Sequence, residues 1–206
     1  MNDESDGLTG EGYTHADWQK HYDDDDMPWD LGEVAPPFVR LWEDGRVPKG
    51  RMIVPGCGQG HEVKFFAGNG MQVTAVDIAP GAVERLRHHL KNAGVSARVL
   101  HDDFFSLNSE HDAFYDVFLE QTFFCAIHPI LRATYVNVAH RILKPGGLLI
   151  GLFYETGERG GPPFNTTADD ILHHFSGRFS IRNLEKCDHS IDKRQGKEWL
   201  AILQRQ

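Results

Sequence analysis

The run Val54-Pro55-Gly56-Cys57-Gly58-Gln59-Gly60, with Ala75-Val76-Asp77 closing a second apolar run, constrains this chain more than any other feature. Met52 to Val54 reads as a short strand running into the glycines, and a polar, amphipathic stretch follows from His61. Glycine at 56, 58 and 60 removes the side chains that would block a backbone turning tightly under a nucleotide. Asp77 sits about twenty residues on, where a carboxylate accepts hydrogen bonds from a ribose 2′-hydroxyl. A lone G-x-G says little. A strand, a glycine turn, a helix and a second strand ending in Asp point to a nucleoside cofactor.

Two readings of that cofactor compete. The dinucleotide fingerprint is G-x-G-x-x-G, whose turn lets a helix N-terminus meet pyrophosphate. Counted from Gly56 its third glycine falls at His61, and counted from Gly58 it falls at Val63, so neither register fits. G-C-G-Q-G has instead the G-x-G-x-G spacing expected for S-adenosyl-L-methionine, which carries no phosphate and needs room for an amino-acid tail. A glycine-rich turn without any ligand is the bland alternative.

Beyond the turn, the pattern alternates. Strands are expected at Arg51–Val54, Gln72–Val76, Ala97–His101, Tyr115–Leu119 and Leu148–Phe153, and helices at His61–Asn69, Pro80–Asn92 and Leu131–Leu143. The last helix carries Tyr135, Val138, Ala139 and Ile142 at the spacing of a buried face, and Leu143-Lys144-Pro145-Gly146-Gly147 stops it. Phe179–Cys187 and Glu198–Gln204, linked through Arg194-Gln195-Gly196, read as an antiparallel hairpin. The fold class that follows is α/β: a mostly parallel seven-stranded sheet, Rossmann-like, with helices on both faces and an antiparallel last strand. Residues 1–12 are expected to be a disordered tail and residues 13–206 a single domain.

Composition narrows the function. A chain of 206 residues that is 40% hydrophobic can bury a substantial core. A formal charge of −9 argues against nucleic acid or an anionic membrane as the partner. No apolar stretch approaches the roughly twenty residues of a membrane span, and the acidic N-terminus is unlike a secretory signal. Cys57, Cys125 and Cys187 are too scattered for a disulfide framework or a metal site, so no metal is expected. A cytoplasmic protein, most simply a monomer, is the expectation.

At this point the residues resemble a known family. From about Trp18 to the C-terminus the chain is similar to class I S-adenosylmethionine-dependent methyltransferases of the thiopurine methyltransferase family. It looks most like the methyl halide and thiol methyltransferase branch. The marks are Pro28-Trp29-Asp30, the glycine turn, Val76-Asp77-Ile78, Asp103-Phe104-Phe105, Phe123-Phe124-Cys125-Ala126, Leu143-Lys144-Pro145-Gly146-Gly147 and Gly160-Gly161-Pro162-Pro163-Phe164. The glycine and Asp motifs are general to class I methyltransferases; P-W-D, F-F-C-A and G-G-P-P-F together are specific to the branch.

The resemblance makes residues 13–45 an aromatic-rich cap on a methyltransferase domain. It implies that Gly56 and Gly58 meet the cofactor by their backbone, that Asp77, with Ile78 beside it, holds the ribose, and that Asp103 faces the adenine amino group with Phe104 beside the ring. Asp102 remains an alternative to Asp103, which can instead cap the next turn. Trp18, Tyr22 and Trp29 are brought to the methionine end, where electron-rich rings attract a sulfonium by up to about 2 kcal/mol; ordinary packing is the alternative. Glu120-Gln121-Thr122 stands where plant members carry D-Y-T, which places Glu120 by the cofactor and Gln121 by the acceptor. Arg132, Tyr22 and Phe164 are further acceptor-side candidates, with a guanidinium suited to holding an anion.

The chemistry asks little of acids and bases. A sulfonium is already a good leaving group, so alignment and exclusion of water suffice, and positioning alone can supply roughly 7–11 kcal/mol. His128 is the residue considered as a base for a thiol. The expected activity is methyl transfer from S-adenosyl-L-methionine, yielding S-adenosyl-L-homocysteine, to a small soft nucleophile: a thiol, hydrosulfide or halide. The alternatives are O- or N-methylation of a small heteroaromatic metabolite, or cofactor binding without catalysis.

Overall fold

In the computed structural model, which describes residues 13–206, seven strands form one sheet: β1 (Arg51–Pro55), β2 (Gln72–Asp77), β3 (Arg98–His101), β4 (Tyr115–Gln121), β5 (Leu143–Tyr154), β6 (Phe179–Lys186) and β7 (Glu198–Arg205). Their order is β3-β2-β1-β4-β5-β7-β6. Neighbours pair in parallel from β3 through to β5, while β7 runs antiparallel to both β5 and β6. The mostly parallel sheet with one reversed last strand is therefore as expected. The disordered tail assigned to residues 1–12 lies outside the described residues.

Apolar residues on both sides of the strands explain why helices cover both faces. Along β1, Met52 and Val54 enter one core while Ile53 enters the other; along β4, Val117 and Leu119 oppose Phe118. The first face carries α2 (Pro36–Glu43), α3 (His61–Gly68) and α4 (Pro80–Ala93) through Phe38, Phe66 and Leu86. The second carries α5 (Arg132–Ile142) and α6 (Ala168–Phe175) through Tyr135 and Phe175. Pro80 opens α4, and Gly94 closes it in the left-handed region, the usual start and stop pair.

Helix α1 (His15–Asp23), with α2 and α6, is absent from the sequence expectation. Both α1 and α6 begin with a reciprocal cap, Thr14 with Asp17 and Thr167 with Asp170. Helix α1 closes on the start of α4, where the Gly81 N–H donates to Gln19 Oε1 at 2.8 Å and Arg85 bonds both Asp25 Oδ1 and the Tyr22 carbonyl at 2.8 Å. The Leu143–Gly147 stretch does end the helix, yet it belongs to β5. Leu143 pairs with Tyr115 and Leu148 with Val117, so Lys144 to Gly147 bulge out of the ladder, where Lys144 pairs with Asp116.

The order of strand addition reverses between β1 and β4, with β2 and β3 laid down on one side and β4 and β5 on the other, and the carboxyl ends there open a crevice. Segments leaving β1, β2, β3 and β4 all reach it.

Candidate active site

The crevice is a cavity of about 590 Å³. Its floor is the glycine turn. A Cβ on Gly56 would lie 2.7 Å from the Phe123 ring, so the glycine at 56 lets the end of β4 close against the end of β1. Gly58 has φ +51°, and a Cβ there would point toward the Tyr22 hydroxyl (3.5 Å) and Trp29 Nε1 (4.0 Å), into space that the turn leaves open. The Gly58 N–H donates to Asp77 Oδ2 at 2.9 Å, and the Ala79 N–H donates to Oδ1 at 3.0 Å. Asp77 is buried, which pushes its carboxyl up, while these N–H groups and His101 act the other way. Each oxygen keeps acceptor capacity beyond its one N–H partner.

Along the adjacent wall stand Ile78, Asp103, Phe104 and Phe105. Asp103 both lines the cavity and caps the turn that follows, accepting from the Phe105 N–H at 2.9 Å. Asp102 is not on the lining; it accepts from the Asp103 N–H at 2.8 Å. The roof is aromatic. Trp18 and Trp29 meet edge to face at 5.4 Å, with Tyr22 6.1 Å from Trp29. Burial, aided by the Asp77 charge, pushes the Tyr22 phenol far above its ordinary value.

What holds Trp29 there comes from the far end of the chain. Arg194 Nη2 donates to the Trp29 carbonyl at 3.2 Å, and Lys193 Nζ donates to the Asp30 carbonyl at 3.1 Å. Arg194 is itself buried, paired with Glu198 at 3.2 Å and stacked on Tyr154 at 4.8 Å. The Asp30 carboxylate accepts from Gln59 Nε2 at 2.7 Å and contacts His61 Nε2 at 2.8 Å, tying the cap to the glycine turn. The link between β6 and β7, expected only as a polar connector, is thus a clasp over the cavity. Nothing local in its sequence marks that role.

Four expected site residues stand elsewhere. Arg132 is off the cavity: its Nη2 donates to the Asn165 carbonyl at 2.9 Å and Thr166 Oγ1 at 3.0 Å, and its guanidinium stacks on Phe124 at 4.7 Å. It fastens the end of the Gly160–Phe164 loop and the two residues after it, away from the cavity where an anionic acceptor was expected to meet it. Arg132→Leu is accordingly expected to lower stability by about 2–4 kcal/mol, from lost charge-assisted bonds and stranded carbonyls, with little change in acceptor KM; urea unfolding and steady-state kinetics check it. Phe164 is buried one layer behind Pro162 and Pro163, which form the wall in its place, and its ring packs on His128.

Glu120 is buried in the core and does not line the cavity. Its Oε1 accepts from the Phe123 N–H (2.9 Å) and the Phe124 N–H (2.8 Å), and its other oxygen accepts from the Tyr135 hydroxyl. Gln121 lines a smaller space of about 30 Å³ that adjoins the cavity at Trp29, Gly56, Gly58 and Thr122, and its Oε1 accepts from Thr122 Oγ1 at 2.9 Å. The reason is shared: Thr122 takes φ +58°, an unusual conformation for a β-branched residue. That turns the chain sharply at the strand end, so Thr122 and Phe123 face the cavity while Glu120 and Gln121 do not.

Cavity residues not expected at the site include Tyr13, His15 and His21 on the cap, and Leu131, Lys193 and Arg194 further on, together with Cys125, which was expected only as a packed small residue. His21 had a usable signal: Trp18, His21 and Tyr22 share one face of a helix at i, i+3 and i+4. A carboxylate with spare acceptors, apolar walls and a three-ring roof fit an adenosyl group with a sulfonium at its end.

Comparison with known proteins agrees with that fit. The chain matches the thiopurine S-methyltransferase family over residues 13–204. It is 37% identical over 157 residues to the probable thiol methyltransferase 2 of Arabidopsis thaliana, an alignment covering 74% of this chain and 68% of that one. It is 33% identical over 193 residues to thiocyanate methyltransferase 1 of Brassica oleracea, covering 89% and 82%. In fold it resembles the 1,6-didemethyltoxoflavin-N1-methyltransferase of Burkholderia thailandensis, with a TM-score of 0.73 at 19% identity over 93% of this chain and 86% of that one. The match runs through cap, glycine turn and clasp alike, and this chain belongs to the thiopurine S-methyltransferase family, whose members are S-adenosylmethionine-dependent methyltransferases.

Proposed function

We propose that this enzyme methylates a small, soft nucleophile, foremost a thiol. The observation that carries the reading is the lining of the cavity beyond the ring cluster. Tyr154, Leu131, Pro162 and Pro163 make it apolar, and its two cations, Lys193 and Arg194, are committed to the carbonyls of Asp30 and Trp29. A soft sulfur nucleophile needs such a dry, shaped site more than it needs charged partners. The thiol and thiocyanate methyltransferases named above support the same class.

S-adenosylmethionine supplies an activated methyl on a sulfonium. In this reading the Asp77 carboxylate accepts from the ribose hydroxyls, with Ile78 beside the sugar. Gly56 and Gly58 let the amino-acid tail pass, Asp103 and Phe104 flank the adenine, and Trp18, Tyr22 and Trp29 offer ring faces to the cation. The clasp from Lys193 and Arg194 keeps Trp29 over the cavity, which excludes water and fixes the approach of the acceptor.

The volume of about 590 Å³ exceeds what a halide requires beside an adenosyl group, so a small heteroaromatic N- or O-acceptor is the second reading. A panel of alkyl and aryl thiols, thiocyanate, iodide and ring N- or O-acceptors separates them by S-adenosylhomocysteine release. Thiols are expected to exceed ring N- and O-acceptors in kcat/KM by at least about tenfold. Turnover confined to ring nitrogen or oxygen would replace the thiol reading, and cofactor binding with no turnover of any acceptor would leave a binding protein. We further read it as a cytoplasmic monomer that acts on a small molecule; among the described residues no helix is long and apolar enough to cross a membrane.

A further inference from the structure

We infer that His21 is the base that receives the proton of a thiol acceptor, with the Asp26 backbone setting its tautomer; this rests on the thiol reading above. His21 lines the cavity from α1. Its ring is held between Tyr13, stacked at 5.4 Å and 20°, and Trp29, edge-on at 4.9 Å, with Trp18 at 6.2 Å. It therefore sits among the same rings that face the sulfonium in the proposed binding mode.

The hydrogen bonding fixes which nitrogen is basic. His21 Nδ1 lies 2.8 Å from the Asp26 carbonyl oxygen. A carbonyl can only accept, so Nδ1 carries the hydrogen and a neutral ring keeps its lone pair on Nε2. Among the described residues Nε2 has no protein partner. Asp26 Oδ2 lies 3.9 Å from Nδ1, a countercharge for the ring once it holds two protons. A base oriented by a third group is the arrangement that activates a weak nucleophile.

Most other titratable groups on the lining are otherwise engaged, Tyr13 by stacking on the His21 ring itself and Tyr154 under the Arg194 guanidinium. His128 has the opposite tautomer, because the Ile130 N–H donates to its Nδ1 at 3.3 Å, which leaves Nε2–H a donor. Burial pushes the Cys125 thiol up to about 12, and its Sγ donates to the Thr122 carbonyl at 3.4 Å. Asp77 and Asp103 accept from backbone N–H groups, the Tyr22 phenol is far too weak an acid to exchange protons near neutrality, and Lys193 and Arg194 are cations. His15 is exposed at the rim.

The step balances without another reagent. The acceptor sulfur forms its bond to the methyl carbon as its S–H bond breaks toward His21 Nε2. The electron pair of the old carbon–sulfonium bond leaves with the departing thioether, and the imidazolium later releases the proton to solvent. Iodide and thiocyanate, already anions, bring no proton to remove. The base thus matters only for acceptors that arrive protonated.

His21→Asn tests this, because its amide can still donate to the Asp26 carbonyl while offering no imidazole. For an alkyl thiol, kcat/KM is expected to fall about a hundredfold relative to that for iodide, the low end of general-base effects. An equal loss for both acceptors, or no loss for the thiol, overturns the inference. A chain that, unaltered, turns over no thiol overturns the thiol reading itself, so the two failures are distinguishable. Should the variant not fold, long-range ¹H–¹⁵N spectra of the unaltered chain decide: Nδ1 protonated and Nε2 bare is expected, and the reverse tautomer overturns the assignment.

Discussion

Asp77→Asn is expected to weaken S-adenosylhomocysteine binding by about 10²–10³-fold, measured by titration calorimetry. The carboxylate joins β2 to the glycine turn through the Gly58 and Ala79 N–H groups and still has lone pairs on the cavity side. Hydrogen bonds to a charged acceptor are worth about 1.5–3 kcal/mol each, and two ribose hydroxyls would make two. An amide loses the charge. It also turns one acceptor into a donor, which must face either the Gly58 or the Ala79 N–H. The glycine turn therefore loosens as the ribose bonds go, and the melting temperature falls with the affinity. Asp102→Asn is the control: Asp102 is exposed, off the cavity and bonded to the next backbone N–H, so its affinity stays within about threefold. If Asp77→Asn also stayed within that range, the ribose assignment would be lost.

Much of the arrangement was legible because it is written locally. The strand–glycine–helix–Asp sequence sets backbone geometry within a single β-α-β unit, and the alternation of Met52, Ile53 and Val54 between two cores follows from the pleat. Helices α1 and α6 also carried a local signal, Thr-x-x-Asp, that expectation passed over. The misplaced residues share a different cause. Glu120, Gln121 and Arg132 are polar residues in motif positions, and whether such a side chain faces a cavity or a core depends on one turn at Thr122 and on a loop more than thirty residues on. Lys193 contacts Asp30 across 163 positions of sequence, and Arg194 contacts Trp29 across 165. No window of residues contains that contact.

Glu120→Gln is expected to flatten the dependence of stability on pH between about 4.5 and 7, which urea unfolding of the two chains side by side would show. Glu120 is 1% exposed, and burial outweighs its bonds from Phe124, Tyr135 and Phe123 to push its carboxyl up to about 7 from 4.5. Within that window the folded chain holds a proton that the unfolded chain has released. Stability is then highest below the unfolded value and falls as pH rises through the folded one, by about 3 kcal/mol in total. The glutamine amide oxygen keeps both backbone donors and its NH2 group meets the Tyr135 oxygen, so the variant folds without the proton. His111, His140 and His174, all lowered chiefly by burial, oppose this slope on the acid side, but they are common to both chains and leave the difference intact. Glu120→Ala, by contrast, strands two backbone N–H groups and a hydroxyl in the core and costs about 3 kcal/mol or more at any pH. Parallel curves for the unaltered chain and Glu120→Gln would mean that the carboxyl is ionised throughout. The anion would then be stabilised by the turn that positions Phe123 against Gly56, making that turn a stronger anion site than its burial implies.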